Sequence, residues 1–186
     1  MKQNVRPTSP ALSVVIAVRD AEETIGRDVR QMAQHLRAAG VSFEILAVND
    51  GCCDNSLAVL RLMTEQVPEL RLCAGDARGR AFIRGASEAE GQSVALVDSA
   101  DGSLPLATLG WALSRLDRRD AIIFRGRCVL GRRLAALPAI IRARGRGDLF
   151  ERSFERAAQN LTLDVVGTRP RAMAGLLAPV LRFLAA

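Results

Sequence analysis

The sequence predicts an α/β protein with a mostly parallel central sheet and helices on both faces. Three observations carry that expectation. Short apolar runs at 13–18, 43–48 and 94–97 have the length and continuity of strands buried on both faces. Stretches with helical periodicity separate them, so the order reads β-α-β-α-β-α-β. Each run also ends in polar or charged residues, most plainly at Asn49-Asp50-Gly51 and at Asp98-Ser99-Ala100-Asp101. Right-handed crossovers would bring those ends to one rim of the sheet, where open α/β sheets build their sites.

The elements follow in order. After the first strand, Asp20 and Glu23 have capping-box spacing, with Asp in the usual Ser/Thr place. Ile25, Val29, Met32, Ala33 and Leu36 then recur at helical spacing, and Gly40 marks the stop. His35, the single histidine, lies off that stripe and reads as a surface residue. The second strand runs into a turn-rich loop, 49–56, where Asp54 or Asn55 can cap the next helix. Leu57, Leu60 and Met63 line that helix, and Pro68 closes it. A short strand at 71–73, a loop at 75–80 with two arginines and a helix at 81–90 lead into the strand at 94–97.

Beyond Pro105, Leu106, Leu109, Leu113 and Leu116 form a helical stripe, and 120–124 reads as a strand. Segment 126–147 is rich in Arg and punctuated by Gly; it supports only a short helix at 134–143, which Pro138 should interrupt. A helix at 148–161, a strand at 163–166 and an amphipathic helix at 169–184 complete the chain.

With 186 residues the chain is read as one domain with a sizeable core, 49% of it hydrophobic and 25% charged. Residues 1–10 are polar, read as a flexible terminus, and lack the apolar core of a signal peptide. No apolar run approaches the roughly 20 residues that span a bilayer. Cys52, Cys53, Cys73 and Cys128 fit no zinc spacing and read as reduced thiols, which points to the cytoplasm.

The formal charge is +6, with Lys2 the single lysine, and the arginines gather after residue 117. Arginine suits bidentate phosphate contacts, so the partner could be a nucleotide diphosphate, an anionic membrane surface or nucleic acid; the alternative is a solvated basic face. Aromatics are 4% and tyrosine is absent, which disfavours stacking on nucleic-acid bases.

Residues 94–105 organise the chemistry. A strand delivers Asp98 and then Asp101 into a Gly-Ser-Pro turn. Two carboxylates so placed can hold a hard divalent cation, and the cation can hold phosphate oxygens. The plainer alternative is a strand followed by a polar turn.

Four segments together resemble the family-2 glycosyltransferases of the inverting GT-A type, particularly the polyprenyl-phosphate sugar transferases. Ser13-Val-Val-Ile-Ala-Val-Arg-Asp-Ala-Glu-Glu-Thr-Ile25 is similar to the family's opening strand and Pro-x-Tyr-Asn-Glu turn. Glu44-Ile-Leu-Ala-Val-Asn-Asp-Gly-Cys-Cys-Asp54 resembles its Val-Asp-Asp-Gly-Ser-x-Asp segment. Gly79-Arg-Ala-Phe-Ile-Arg-Gly-Ala86 resembles its Gly-Lys-Gly-x-Ala helix start. Asp98-Ser-Ala-Asp-Gly-Ser-Leu-Pro105 stands where the family has Asp-x-Asp and a Gln-x-x-Pro turn.

The resemblance implies a GT-A (Rossmann-like) fold. Residues 11–105 would form a nucleotide-binding half and 106–186 an acceptor-side half. It implies a UDP- or GDP-sugar donor, Mg²⁺ or Mn²⁺, and a lipid-phosphate or other acceptor at the inner membrane surface. Asp50 would read the base, Asp98 would contact the sugar-nucleotide, and Asp101, with Ser103 nearby, would hold the metal. Ala17, Arg19, Arg80 and Arg84 would border the nucleotide. The family's Glu-Asp base has no counterpart in the sequence; Asp148, Glu151 and Asp164 are the remaining carboxylates that could act as base, and the alternative for each is a helix cap or a salt-bridge partner. The alternative is a GT-A-like domain that binds a nucleotide or a partner protein without turnover. The departures are specific: Ala17 and Arg19 replace Pro and Tyr, Asn49 replaces the first acid of its pair, and the metal motif is spaced Asp-x-x-Asp.

Overall fold

β1 (Leu12–Val18) is buried at every position, because it is paired on both edges and covered on both faces. On one side lie β2 (Phe43–Asn49) and then β3 (Leu70–Cys73), both parallel to it. On the other side lies β4 (Ser93–Asp98), also parallel. β6 (Cys128–Arg132) pairs antiparallel with β4 and with β5 (Ala121–Phe124), and β7 (Leu163–Val166) pairs parallel with β5. The seven strands therefore run β3-β2-β1-β4-β6-β5-β7, all in one direction except β6. The protein is seen in a computed structural model that describes residues 9–75, 79–99 and 106–167.

Side chains alternate along β1 between two cores. Leu12, Val14, Ile16 and Val18 meet α1 (Ile25–Ala38), α2 (Ser56–Gln66) and α4 (Leu109–Arg115), the last entered through a tight turn at Leu106–Thr108. Val15 and Ala17 meet α3 (Ala81–Glu88), α5 (Arg133–Arg142) and α6 (Gly147–Ala157). Within the second core Phe82 and Phe150 lie 4.7 Å apart, centroid to centroid, which fixes the start of α6 beside the start of α3.

The predicted α/β class and the parallel strands at the sheet's centre are observed. Three local expectations change. β6 falls inside the segment where only a short helix was expected; Cys-Val-Leu is buried there, and Gly126 turns the hairpin at φ +67°. α5 runs through Pro138, which occupies the helix interior at the cost of one backbone donor. α1 begins at Ile25, after Thr24, without a side-chain cap; Asp20 adopts φ +44° instead of capping. Asp forms this left-handed conformation more readily than most residues do. The helix expected at 169–184 lies outside the described residues.

α3 approaches the sheet through Gly85. A β-carbon there would sit 2.2 Å from Cγ1 of Val15 and 3.1 Å from Cγ2 of Val48. Gly85→Ala should therefore lower unfolding free energy by about 1–3 kcal/mol in denaturant titrations, despite alanine's higher helix propensity. Gly40→Ala should lose less, because it faces open space and strains only the backbone at φ +67°. Equal losses at the two positions would refute the close α3–sheet contact.

Candidate functional site

The chain leaves β1 toward β2 and β3 and later returns to β4 on β1's other side. The carboxyl ends of β1 and β4 are thus a topological switch point, where loops diverge and leave a crevice. The ladder fixes what lies there. Ala17 is level with Asp98, Val18 is level with Asn49, the Ser99 N–H donates to the Ala17 carbonyl at 3.0 Å, and the Asp50 N–H donates to the Val18 carbonyl at 2.9 Å. Ser99 Oγ also accepts from the Arg19 N–H at 3.1 Å, across the switch point. Asp50 and Asp98 flank β1 on opposite sides, with two strand spacings, about 10 Å, between their lines.

The loops after β1 and β2 are sewn together by side chains. Asp20 Oδ1 accepts from the Cys53 N–H at 2.7 Å, Asp54 Oδ2 from the Glu22 N–H at 2.9 Å, and Glu22 Oε2 from the Asn55 N–H at 2.8 Å. Ser56, fully buried, accepts from the Ala21 N–H at 2.8 Å and donates its hydroxyl to Asp54. Asn49 folds the start of the second loop by accepting from the N–H groups of Gly51 and Cys52. These bonds give the rim a fixed shape, since local polar pairing replaces the missing ladder.

Asp50 is 3% exposed, and its carboxylate is ion-paired through Oδ2 with Nε of Arg146. Arg146 Nη2 also donates to the Asp50 carbonyl at 3.2 Å. The arginine stem lies against Gly79, where a β-carbon would stand 3.5 Å from Nε. Arg146 immediately precedes α6, so the Phe82–Phe150 contact is what carries it to this rim.

Of the residues singled out in the sequence, Ala17, Arg19, Asp50 and Asp98 meet at the switch point. Arg80 stands at the N-terminus of α3, and Arg84, one turn on, pairs with Glu88 at 2.5 Å. Asp101 and Ser103 lie outside the described residues, and the side chain of Asp148, in the first turn of α6, does too. Among the described residues no group of three or more His, Cys, Asp or Glu could hold a metal ion. Glu151 is buried and accepts from the Gly126 N–H at 3.2 Å, in the β5–β6 turn.

Asp164 is not brought to the crevice. It lies on β7, three strands from β4, about 14 Å away across the sheet. Arg119 at 2.8 Å and Arg115 at 3.3 Å flank its carboxylate and hold it below the usual carboxylate range, Arg119 most strongly. The described cysteines are free thiols, and burial pushes Cys73 up to about 12 and raises Cys128 as well. Sequence reasoning missed Ser99, the Asp54–Ser56 latch and Arg146. The one signal for Arg146 was the Arg-Gly-Arg-Gly run at 144–147, in which Gly145 takes φ +92°.

No protein-family model matches the chain, and no curated protein sequence matches it. Solved structures match it in shape. Residues 1–349 of S. aureus TarS, in complex with UDP-GlcNAc, align with a TM-score of 0.65 at 17% identity, over 85% of this chain and 56% of that one. The Pyrobaculum calidifontis mannosyltransferase PcManGT, in complex with GDP-Man and Mn²⁺, aligns at 0.67 and 15% identity, over 89% and 59%. The fold is GT-A. The 4-diphosphocytidyl-2C-methyl-D-erythritol synthase of Anaerococcus prevotii aligns as well, at 0.62 and 11% identity, over 88% and 91%. The likeness is thus one of fold, shared by enzymes of different names. This chain spans less than three-fifths of the length of TarS 1–349 or PcManGT. Among the described residues no helix is long and apolar enough to cross a membrane.

The latch between the two loops has a pH signature. The Ser56 hydroxyl, first among several donors, holds the Asp54 carboxyl below its ordinary 3.8. A depressed folded-state pKa contributes stability above the unfolded value that is lost as pH falls through the folded value. Carboxyl-carbon NMR should show Asp54 titrating below 3.8, and Ser56→Ala should move it upward. An unchanged midpoint in that variant would refute the Ser56–Asp54 bond.

Proposed function

We propose that the chain is a glycosyltransferase domain that takes its sugar from a UDP- or GDP-sugar. The observation that carries this reading is the placement of Asp50 and Asp98 on either side of β1 at the switch point. About 10 Å between their strands suits a base at one end and the ribose and diphosphate toward the other. Asp50 would accept the ring N–H of uracil or guanine. Asp98 would contact the sugar-nucleotide, and Arg19, Arg80 and Arg84 would border the phosphates.

Asp98 and Asp101 would hold Mg²⁺ or Mn²⁺. One or two carboxylates suffice when substrate phosphates supply further oxygens, so the absence of a three-residue cluster among the described residues is compatible with this metal. Bound there, the ion would offset charge on the leaving diphosphate. Asp148 is retained as a base candidate. Asp164 is dropped, because its arginines keep it ionised and weakly basic. Leu134, Ile141 and Leu149 are exposed, in a stretch of chain that also carries Arg142, Arg144 and Arg152; such a stretch would suit a lipid-phosphate acceptor at an anionic membrane surface. Binding of a nucleotide without turnover is the second reading. The pinned state of Asp164, which removes one candidate base, favours it.

Thermal-shift measurements with UDP and GDP, with and without Mn²⁺, test the proposal. One nucleotide should stabilise the chain by about 2.7 kcal/mol at a hundredfold excess over its Kd, and more with metal present. Asp50→Ala should lose most of the nucleotide effect, and Asp101→Ala should lose the metal increment alone. Metal-dependent hydrolysis of the donor sugar would separate turnover from mere binding. No response to either nucleotide would overturn both readings.

A further inference from the structure

We propose that Arg146 is a latch on the donor site: its guanidinium occupies the base-binding carboxylate until a nucleotide displaces it. The inference rests on the assignment of Asp50 to the base. Asp50 is 3% exposed, while the Arg146 side chain paired with it is 33% exposed and so borders solvent. It engages Asp50 twice, at Oδ2 and at the backbone carbonyl. Its stem rests on Gly79, so the guanidinium spans from the β2–α2 loop to the loop before α3. A base donating its N–H to Asp50 from the crevice must enter that same space.

The backbone of Arg146 is anchored, since its carbonyl accepts from the N–H groups of Leu149 and Phe150 at 3.0 and 3.2 Å. The neighbouring arginine is committed elsewhere. Arg144 donates Nη1 to the carbonyls of Ile141 and Ala143. Opening therefore needs only rotamer changes along the Arg146 side chain, with α6 left in place.

The exchange is also chemically balanced. A buried carboxylate stripped of its arginine is costly, but an incoming N–H donor replaces part of what is lost. The released guanidinium moves toward water, since the Arg146 side chain is already a third exposed in the pair. A ligand without an N–H at its base edge offers Asp50 no replacement, so the latch would also filter the base.

Removal of the latch should tighten binding, because apparent affinity is the intrinsic affinity scaled by the open fraction. If nine molecules in ten are latched, calorimetry should show Arg146→Ala binding UDP or GDP, whichever the wild type prefers, with a Kd about tenfold lower. Unchanged binding would overturn the proposal, and so would weaker binding, which would make Arg146 a ligand contact. The pair itself is read without ligand by NMR of the arginine Nε–H groups. Buried beside the carboxylate, the Arg146 Nε–H should give a slowly exchanging signal in the wild type that is lost in Asp50→Ala and on nucleotide saturation. Persistence of that signal in Asp50→Ala would also overturn the latch. If the signal behaves as expected but no variant binds a nucleotide, the assignment of Asp50 fails and the latch on a donor site fails with it.

Discussion

The double pairing of β1 is the constraint on which the remaining structure depends. A strand buried at all seven positions must satisfy every backbone group within the sheet, so both its edges are occupied. β2 takes one edge and β4 the other, and the chain must cross over between them. That crossing creates the switch point. The rim bonds from Asp50 to Val18 and from Ser99 to Ala17 are the last rungs of the same ladders. Polar chemistry begins one residue beyond the point where the apolar ladder stops.

The rim is rigid for a different reason. Past the ladder the backbone has no regular partner, and carboxylates and hydroxyls take over. Asp20, Glu22, Asp54 and Ser56 bind one another's loops in both directions. At the opposite rim a comparable network joins Ser13, Glu44 and the N–H groups of Glu90 and Gly91, with Arg71 closing it at 3.0 Å from Glu44. The first network joins the loops after β1 and β2 at the switch point, whereas the second sits at the starts of β1, β2 and β4. Similar polar parts therefore serve a site at one end and strand anchorage at the other.

Two of the ion-paired acids differ chiefly in where they lie. Asp164, on an outer strand, pairs with Arg115 and Arg119, and Asp50, at the rim, pairs with Arg146. The difference lies in what surrounds them. Asp164 lies on β7, far from the switch point and the donor site proposed there. Asp50 lies at the switch point, where the proposed donor site would use it. An ion pair that only stabilises the fold and one that gates a site look alike in the chain and differ in position.

Much of this was legible in the residues. The apolar runs at β1, β2 and β4 named the central strands, and crossover handedness put Asp50 and Asp98 on a single rim. β6 was not legible, because a five-residue strand between Gly126 and a pair of arginines carries too little apolar pattern to stand out. Asp20 could not be told from a cap, since its φ is set by the neighbouring loop that it binds. The sequence alone determined the alternation of elements and the rim, because periodicity and handedness are local rules. Only the tertiary structure decided the order of the outer strands and which arginine reaches Asp50. That partner comes from 96 residues downstream, carried there by the packing of Phe150 on Phe82, and no local pattern encodes it.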